Sequence, residues 1–157
     1  MPNSVFATLN SFRKDSKVDD YFDVKLYYPK CYVTLKSSYF VLNPLPAYTF
    51  HGTKGTFLKS KSDIQEAELQ KEIKPESFNW GIEPEYEQGL LHTVLNGEII
   101  KKLIPSEKGN YMDYFDGIFE AIRNNKPVPV SAKEAIQVIK IIEAAIQSNK
   151  ENRIISL

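Results

Sequence analysis

The stretch from Gly109 to Ser148 constrains the fold most, because it holds two amphipathic helices separated by residues that cannot be helical. Tyr111, Tyr114, Phe115, Ile118, Phe119 and Ile122 recur at the i, i+3, i+4, i+7, i+8, i+11 spacing of one helix face. Asn124-Asn125-Lys126-Pro127-Val128-Pro129-Val130 breaks the pattern, since each proline lacks a backbone donor and drives the residue before it toward extended geometry. Ser131-Ala132-Lys133-Glu134 restarts it as a capping box, in which the serine hydroxyl accepts from the Glu134 amide and the Glu134 side chain reaches back. Ala135, Val138, Ile139, Ile142, Ala145 and Ile146 form the second stripe. Each large apolar side chain contributes roughly 1.5–3 kcal/mol when fully buried, so two such stripes demand a broad apolar partner from the rest of the chain.

Alternating strands are the expected partner. Val5, Ala7 and Leu9 alternate with Phe6, Thr8 and Asn10; Phe22, Val24, Leu26 and Tyr28 oppose Tyr21, Asp23, Lys25 and Tyr27; Cys31, Val33 and Leu35 oppose Tyr32, Thr34 and Lys36. Lys17 to Asp20 and Pro29-Lys30 are the turns, and Cys31, placed in this alternation, is expected to be a packed core thiol. After Asn43-Pro44-Leu45-Pro46, Tyr48 to His51 and Thr56 to Lys59 read as strands joined by Gly52-Thr53-Lys54-Gly55. The two glycines suit a tight turn with positive φ. A phosphate loop would need a helix to follow, and none does.

Asp63 to Ile73 reads as a helix with Asp63 as cap and Glu66 at the capping-box position. Lys74 to Gln88, with Pro75, Pro84, Trp80 and Gly81, is irregular, and loops of such length inside a domain are often functional. Leu90 to Leu95, Asn96-Gly97 and Glu98 to Ile104 form the clearest hairpin, because Asn-Gly favours a primed turn. Ile154 and Ile155 close the chain as a short strand. The expected architecture is one α+β domain over residues 1–157: an open, predominantly antiparallel sheet with the helices packed on one face. The other face, carrying Tyr21, Tyr27, Tyr32 and Thr34, is aromatic and β-branched enough to be a subunit interface.

The composition excludes several classes of function. Twenty basic and twenty acidic residues give zero formal charge, which offers no long-range attraction to nucleic acid or an anionic membrane. No apolar run approaches the ~20 residues that span a bilayer, and nothing after Met1 resembles a signal peptide, so a cytoplasmic location is expected. A single cysteine rules out an internal disulfide and a multi-cysteine zinc site. His51 and His92 read as ordinary strand residues, no serine sits in a nucleophile elbow, and no GxGxxG follows a strand. No catalytic residue, metal site or bound cofactor is expected in this chain.

One set of residues carries a resemblance. Gly109-Asn110-Tyr111 before Tyr114-Phe115, Ala121-Ile122-Arg123-Asn124, Pro127, Pro129-Val130, Glu134-Ala135, Ile141-Ile142-Glu143-Ala144-Ala145 and Ser148 form its C-terminal part. Asp19-Asp20-Tyr21-Phe22, His51-Gly52-Thr53-Lys54-Gly55-Thr56-Phe57, Asp63 with Gln65 and Glu66, Leu69, Pro75 and Trp80-Gly81 extend it through most of the chain. Together they resemble the C-terminal domain of the glucose-fructose oxidoreductase/inositol dehydrogenase/rhizopine-catabolism (Gfo/Idh/MocA) family, in the branch that includes NADP-linked scyllo-inositol dehydrogenases.

The resemblance implies a parent with an N-terminal Rossmann domain that binds NAD or NADP, a catalytic lysine in a Glu-Lys-Pro motif, and an Asp/His motif near the junction. None of these stands in this sequence, which is expected to be an excised C-terminal domain, inactive by itself. The implied substrate is a polyol, sugar or related alcohol or ketone lying between the nicotinamide and this domain, which would supply pocket walls and the contacts of a homodimer or homotetramer. A sugar wall needs an aromatic plate and hydroxyl partners, and Asp63, Gln65, Asn79, Trp80 and Tyr111 are the candidates. Three of them have a competing structural role: Trp80 pinning its loop to the sheet, Asp63 capping a helix, Tyr111 sitting in the core. A self-contained protein-interaction or carbohydrate-binding module using the open sheet face is the alternative, and a βαβ unit upstream of Met1 would discriminate against it.

Overall fold

Hydrogen-bonded pairing sorts the strands of the computed structural model into two four-stranded antiparallel sheets. The structure describes residues 1–61, 63–75 and 79–157, and residues 76–78 of the expected irregular segment lie outside the described residues. The chain forms two compact units, one of Met1–Leu42 with Val130–Leu157 and one of Asn43–Pro129. The α+β class and the antiparallel pairing are as expected. The strands pair as two ladders rather than one continuous sheet, the pairing being interrupted between residues 38 and 48.

In the first unit, β1 (Ser4–Asn10), β2 (Tyr21–Tyr27), β3 (Tyr32–Ser38) and β8 (Ile155–Ser156) lie in the order β3-β2-β1-β8. The long helix α3 (Ala132–Glu151) packs on β1 and β8. The period-2 pattern does its work here: Val5 pairs with Leu26 and Ala7 with Val24, and these four join Ala144, Ala145 and Ile155 in the core. The capping box at Ser131 and Glu134 forms in full. Strand β8 covers only Ser4 and Val5 of the β1 edge. The next two inward amides of β1 are taken by α3 side chains: Ala7 N donates to Ser148 Oγ (3.0 Å) and Leu9 N to Asn149 Oδ1 (2.8 Å). Helix residues thereby satisfy a strand edge whose Ala7 amide would otherwise be a buried unpaired donor.

Tyr21, Tyr27, Tyr32 and Thr34 share the face of this sheet turned away from the core, as the register Tyr27↔Tyr32 and Lys25↔Thr34 requires. The Tyr27 and Tyr32 rings meet edge to face at 5.5 Å. Cys31 corrects the expectation of a core thiol. It is exposed, outside β3, and its carbonyl accepts from Tyr28 N (3.0 Å), so the turn runs one residue further than the alternation implied.

The second unit holds β4 (Tyr48–Gly52), β5 (Gly55–Lys59), β6 (Gly89–Leu95) and β7 (Glu98–Ile104) in chain order, with α1 (Gln65–Leu69) and α2 (Met112–Asn124). Asn96 and Gly97 adopt φ of 53° and 85°, the primed turn that Asn-Gly predicts. Gly52 and Gly55 are absent from the positive-φ residues, against expectation. Gly55 answers to space instead, since a Cβ there would stand 2.5 Å from the His92 carbonyl oxygen. The helix expected over Asp63 to Ile73 shrinks to one turn and a half, its N-cap position is Ile64 without a side-chain bond, and Glu72 is left-handed at φ 59°. Asp63 turns onto Gln65 rather than capping. Among the described residues of this unit, Trp80 is the one buried apolar side chain, and it is accompanied by buried Lys59, Gln65 and Glu87. Hydrogen bonding, more than apolar area, therefore organises this interior.

Candidate functional site

Gln65 is 2% exposed at the start of α1, and its amide ties three segments together. Its Oε1 accepts from the Trp80 indole Nε1 (3.0 Å) and from the Tyr111 backbone amide at the head of α2 (2.8 Å). Its Nε2 donates to Asp63 Oδ1 (3.0 Å), which also accepts from the Gln65 amide (3.2 Å). The chain must come close for this to happen. A Cβ on Gly109 would lie 2.6 Å from Gln65 Nε2, and one on Gly81, at φ +71°, would lie 2.3 Å from the Gly109 carbonyl oxygen. Glycine is thus required at both positions by contact, and at Gly81 by φ as well.

These bonds frame a cavity of about 270 Å³ whose lining includes Asp63, Gln65, Glu83, Ser106, Glu107 and Tyr111. Burial opposes the charge of Asp63, but hydrogen bonds from Gln65, the Tyr111 hydroxyl and the Ile64 amide outweigh it and hold the carboxyl below the usual carboxylate range. The same bond to Asp63, then burial and the charges of Asp63 and Glu66, push the Tyr111 phenol up. The proton between them stays on the phenol, and Asp63 is an ionised acceptor.

Glu83 forms the second polar wall. Burial works against its charge, and an ion pair with Lys59 together with the Ser106 amide, which donates to Oε1 at 2.6 Å, more than compensates and lowers its pKa. Lys59 Nζ is fixed in turn by the Glu87 carbonyl oxygen (2.9 Å). Such a lining offers carboxylate acceptors and a phenol to hydroxyl groups. Among the described residues, no three His, Cys, Asp or Glu side chains are grouped to hold a metal ion, and no helix is long and apolar enough to cross a membrane.

Three of the five candidate pocket residues, Asp63, Gln65 and Tyr111, line this cavity. Trp80 is 1% exposed and stands behind it, holding Gln65 rather than offering a plate. Asn79 is exposed and lies outside the lining. The sequence reading did not find Glu83, Ser106 or Glu107. Glu83 had a weak signal, its place before Pro84 in the irregular segment; Lys59 had none, since it ends an alternating strand where a solvated lysine is ordinary. A more open hollow of about 470 Å³ in the first unit, beside Arg13, Asp20 and Tyr39, is a poorer candidate because its charges satisfy one another. The amides of Phe12 (2.8 Å) and Arg13 (2.9 Å) and the Arg13 guanidinium (3.1 Å) all donate to Asp20, and Arg13 lies 4.5 Å from the Tyr39 ring centroid.

Comparison with known proteins adds independent information. Residues 3–157 match the model of an oxidoreductase family's C-terminal alpha/beta domain. The chain is 39% identical, over 158 residues, to the scyllo-inositol 2-dehydrogenase (NADP(+)) IolW of Bacillus subtilis, covering 100% of this chain and 44% of that protein. It is 29% identical to the uncharacterized oxidoreductase YdgJ of Escherichia coli, covering 100% and 45%. Among solved structures, an oxidoreductase from Bacillus cereus superposes with a TM-score of 0.87 at 31% identity, covering 99% of this chain and 46% of that one. A candidate oxidoreductase from Bacteroides fragilis gives a TM-score of 0.90 at 42% identity, covering 100% and 48%. The chain spans less than half the length of each of these relatives.

Proposed function

The chain belongs to the Gfo/Idh/MocA oxidoreductase family, as its C-terminal α/β domain, and from that membership we propose that it is the substrate-binding and subunit-contact half of an NAD(P)-dependent oxidoreductase acting on a polyol, sugar or related alcohol or ketone. The observation that carries the proposal is the cavity in which an ionised Asp63 stands beside the Tyr111 phenol, both held through Gln65. A polyol presents several hydroxyls at fixed angles. Asp63 accepts from one, Glu83 adds a second carboxylate to the same lining, and the phenol offers an oxygen to a neighbour. Such contacts orient a hydroxyl-bearing carbon; they do not move a hydride.

The residues of this chain do not fit a dinucleotide's phosphates. The first amides of α2 are taken by Gln65 Oε1 and by Asn110 Oδ1, which accepts from Met112 N at 3.0 Å, and the N-terminus of α3 is occupied by its own capping box. NAD or NADP is accordingly proposed for the complete polypeptide, on a Rossmann domain outside this chain. All proton and hydride steps are assigned there.

Asp63→Asn in the complete enzyme tests the pocket. Hydrogen bonds to a charged group contribute about 1.5–3 kcal/mol, so kcat/KM for a polyol substrate should fall roughly ten- to hundredfold, mainly through KM. An unchanged KM would remove Asp63 from the site.

The open face of the first sheet is proposed as the contact of a homodimer or homotetramer, through Tyr21, Tyr27, Tyr32 and Thr34. Its support is the aromatic pair on that face and the exposure of Tyr32 at 79%. Sedimentation velocity at micromolar concentration should show a dimer or larger species that Tyr32→Asp dissociates; a monodisperse wild-type monomer would contradict the assignment.

A further inference from the structure

We propose that Gln65 is a positioning residue: its amide contacts no substrate but fixes the Asp63 carboxylate and the head of α2 in the arrangement that receives a substrate hydroxyl. The inference rests on the assignment of Asp63 to the substrate pocket. Gln65 is 2% exposed, so it borders the cavity with almost no surface to offer. Both acceptor positions of Oε1 are committed, one to the Trp80 indole and one to the Tyr111 amide. Nε2 points at Asp63 Oδ1. The space it occupies exists only because residue 109 has no side chain.

Two otherwise separate segments, the α1 turn and the entry to α2, are thereby placed by one amide. Asp63 and Tyr111 come from these two segments; their side chains bond each other directly, and Gln65 holds the Asp63 carboxylate and the Tyr111 backbone on either side of that bond. A carboxylate that lost its amide partner would keep only the Gln65 and Ile64 backbone amides and the Tyr111 hydroxyl, and would be less closely preorganised for binding.

Gln65→Glu separates positioning from mere packing. A glutamate keeps the shape and still accepts from Trp80 and Tyr111, but it replaces the donor to Asp63 with a second carboxylate. Above the titration of the pair the two charges repel; below it, one shared proton restores a hydrogen bond between them. The other ionisable groups around the pair are Tyr111, Glu66 and Glu68, whose carboxylate accepts from the Gly81 amide, then Glu83 with Lys59, Glu107 and its neighbour Lys108. All are present in wild type as well, so the difference between variant and wild type reads the new pair.

In the complete enzyme, KM of Gln65→Glu for an uncharged cyclitol should be raised about tenfold at pH 8 and return toward the wild-type value as the pH falls through the pair's titration. Gln65→Met, which removes both the donor to Asp63 and the acceptor of Trp80 and Tyr111 without adding charge, should raise KM at every pH with no such recovery. A Gln65→Glu to wild-type KM ratio that is one, or that does not change with pH, would overturn the proposal. In the 157-residue chain the Trp80 indole N–H resonance gives a readout that needs no turnover: it should titrate in Gln65→Glu and not in wild type. A flat indole signal in both would refute the coupling of Gln65 to Asp63 even if the enzyme works on polyols. A titrating signal with no polyol turnover would instead count against the assigned substrate while leaving the positioning role intact.

Discussion

Trp80→Ala is expected to remove about 3–5 kcal/mol of stability, the range for truncating a buried tryptophan. Trp80 is 1% exposed and is the one buried apolar residue among the described residues of its unit, so its truncation empties the largest fully buried side-chain volume among the described residues. The mutation also takes one of the two donors from Gln65 Oε1. Trp80→Phe retains an aromatic ring but loses the N–H and part of the indole volume, and should cost less than the alanine variant, about 1–3 kcal/mol. Urea denaturation followed by circular dichroism, with amide exchange resolving the second unit, measures both. A loss below about 1 kcal/mol for the alanine variant would mean that Trp80 is not the anchor of this interior.

Gly81→Ala is expected to be nearly as damaging, for two additive reasons. The left-handed φ of +71° costs an L-residue about 1–2 kcal/mol. The new methyl would also stand 2.3 Å from the Gly109 carbonyl oxygen, which is backbone and cannot swing aside. Yielding there pushes Gly109 against the Gln65 amide, so both stability and substrate KM should suffer. Gly97→Ala provides the control: φ is +85° and nothing lies within 4 Å, so only the φ penalty applies. Equal losses at the two positions would show that the close approach of Gly81 to Gly109 is unimportant.

Much of the scaffold was legible because it follows from repeating patterns. The capping box at Ser131, the Asn96-Gly97 turn, the alternation that buries Val5, Ala7, Val24 and Leu26, and the closing strand at Ile155 each depend on residues close in sequence or on a strict period of two. Where a local pattern competed with a tertiary partner, it failed. Asp63 resembles a helix cap, yet its carboxylate is drawn to Gln65 and Tyr111, forty-eight residues ahead for the latter by subtraction of their numbers, and the helix behind it stays short. Cys31 falls in register with Val33 and Leu35 but belongs to the turn.

The site was half visible. Asp63, Gln65 and Tyr111, which line the cavity, are pocket candidates through the resemblance alone, since no propensity or period distinguishes a buried glutamine that bonds three segments from a solvated one. Lys59 and Glu83 were missed because an ion pair between residues on different segments leaves no periodic trace. Trp80 offers either an aromatic plate or a pin for its loop on sequence grounds; its burial and its indole N–H, satisfied by Gln65, favour the structural role.

The most direct measurement is polyol-dependent reduction of NAD⁺ or NADP⁺ by the complete polypeptide, alongside the isolated 157-residue chain and the Asp63→Asn form of the complete protein. If this domain holds the polyol while the chemistry resides elsewhere, the complete protein turns over, the isolated chain does not, and Asp63→Asn raises KM with little change in kcat. Turnover by the isolated chain, or a complete protein whose KM for its polyol is the same with aspartate and asparagine at residue 63, would contradict it.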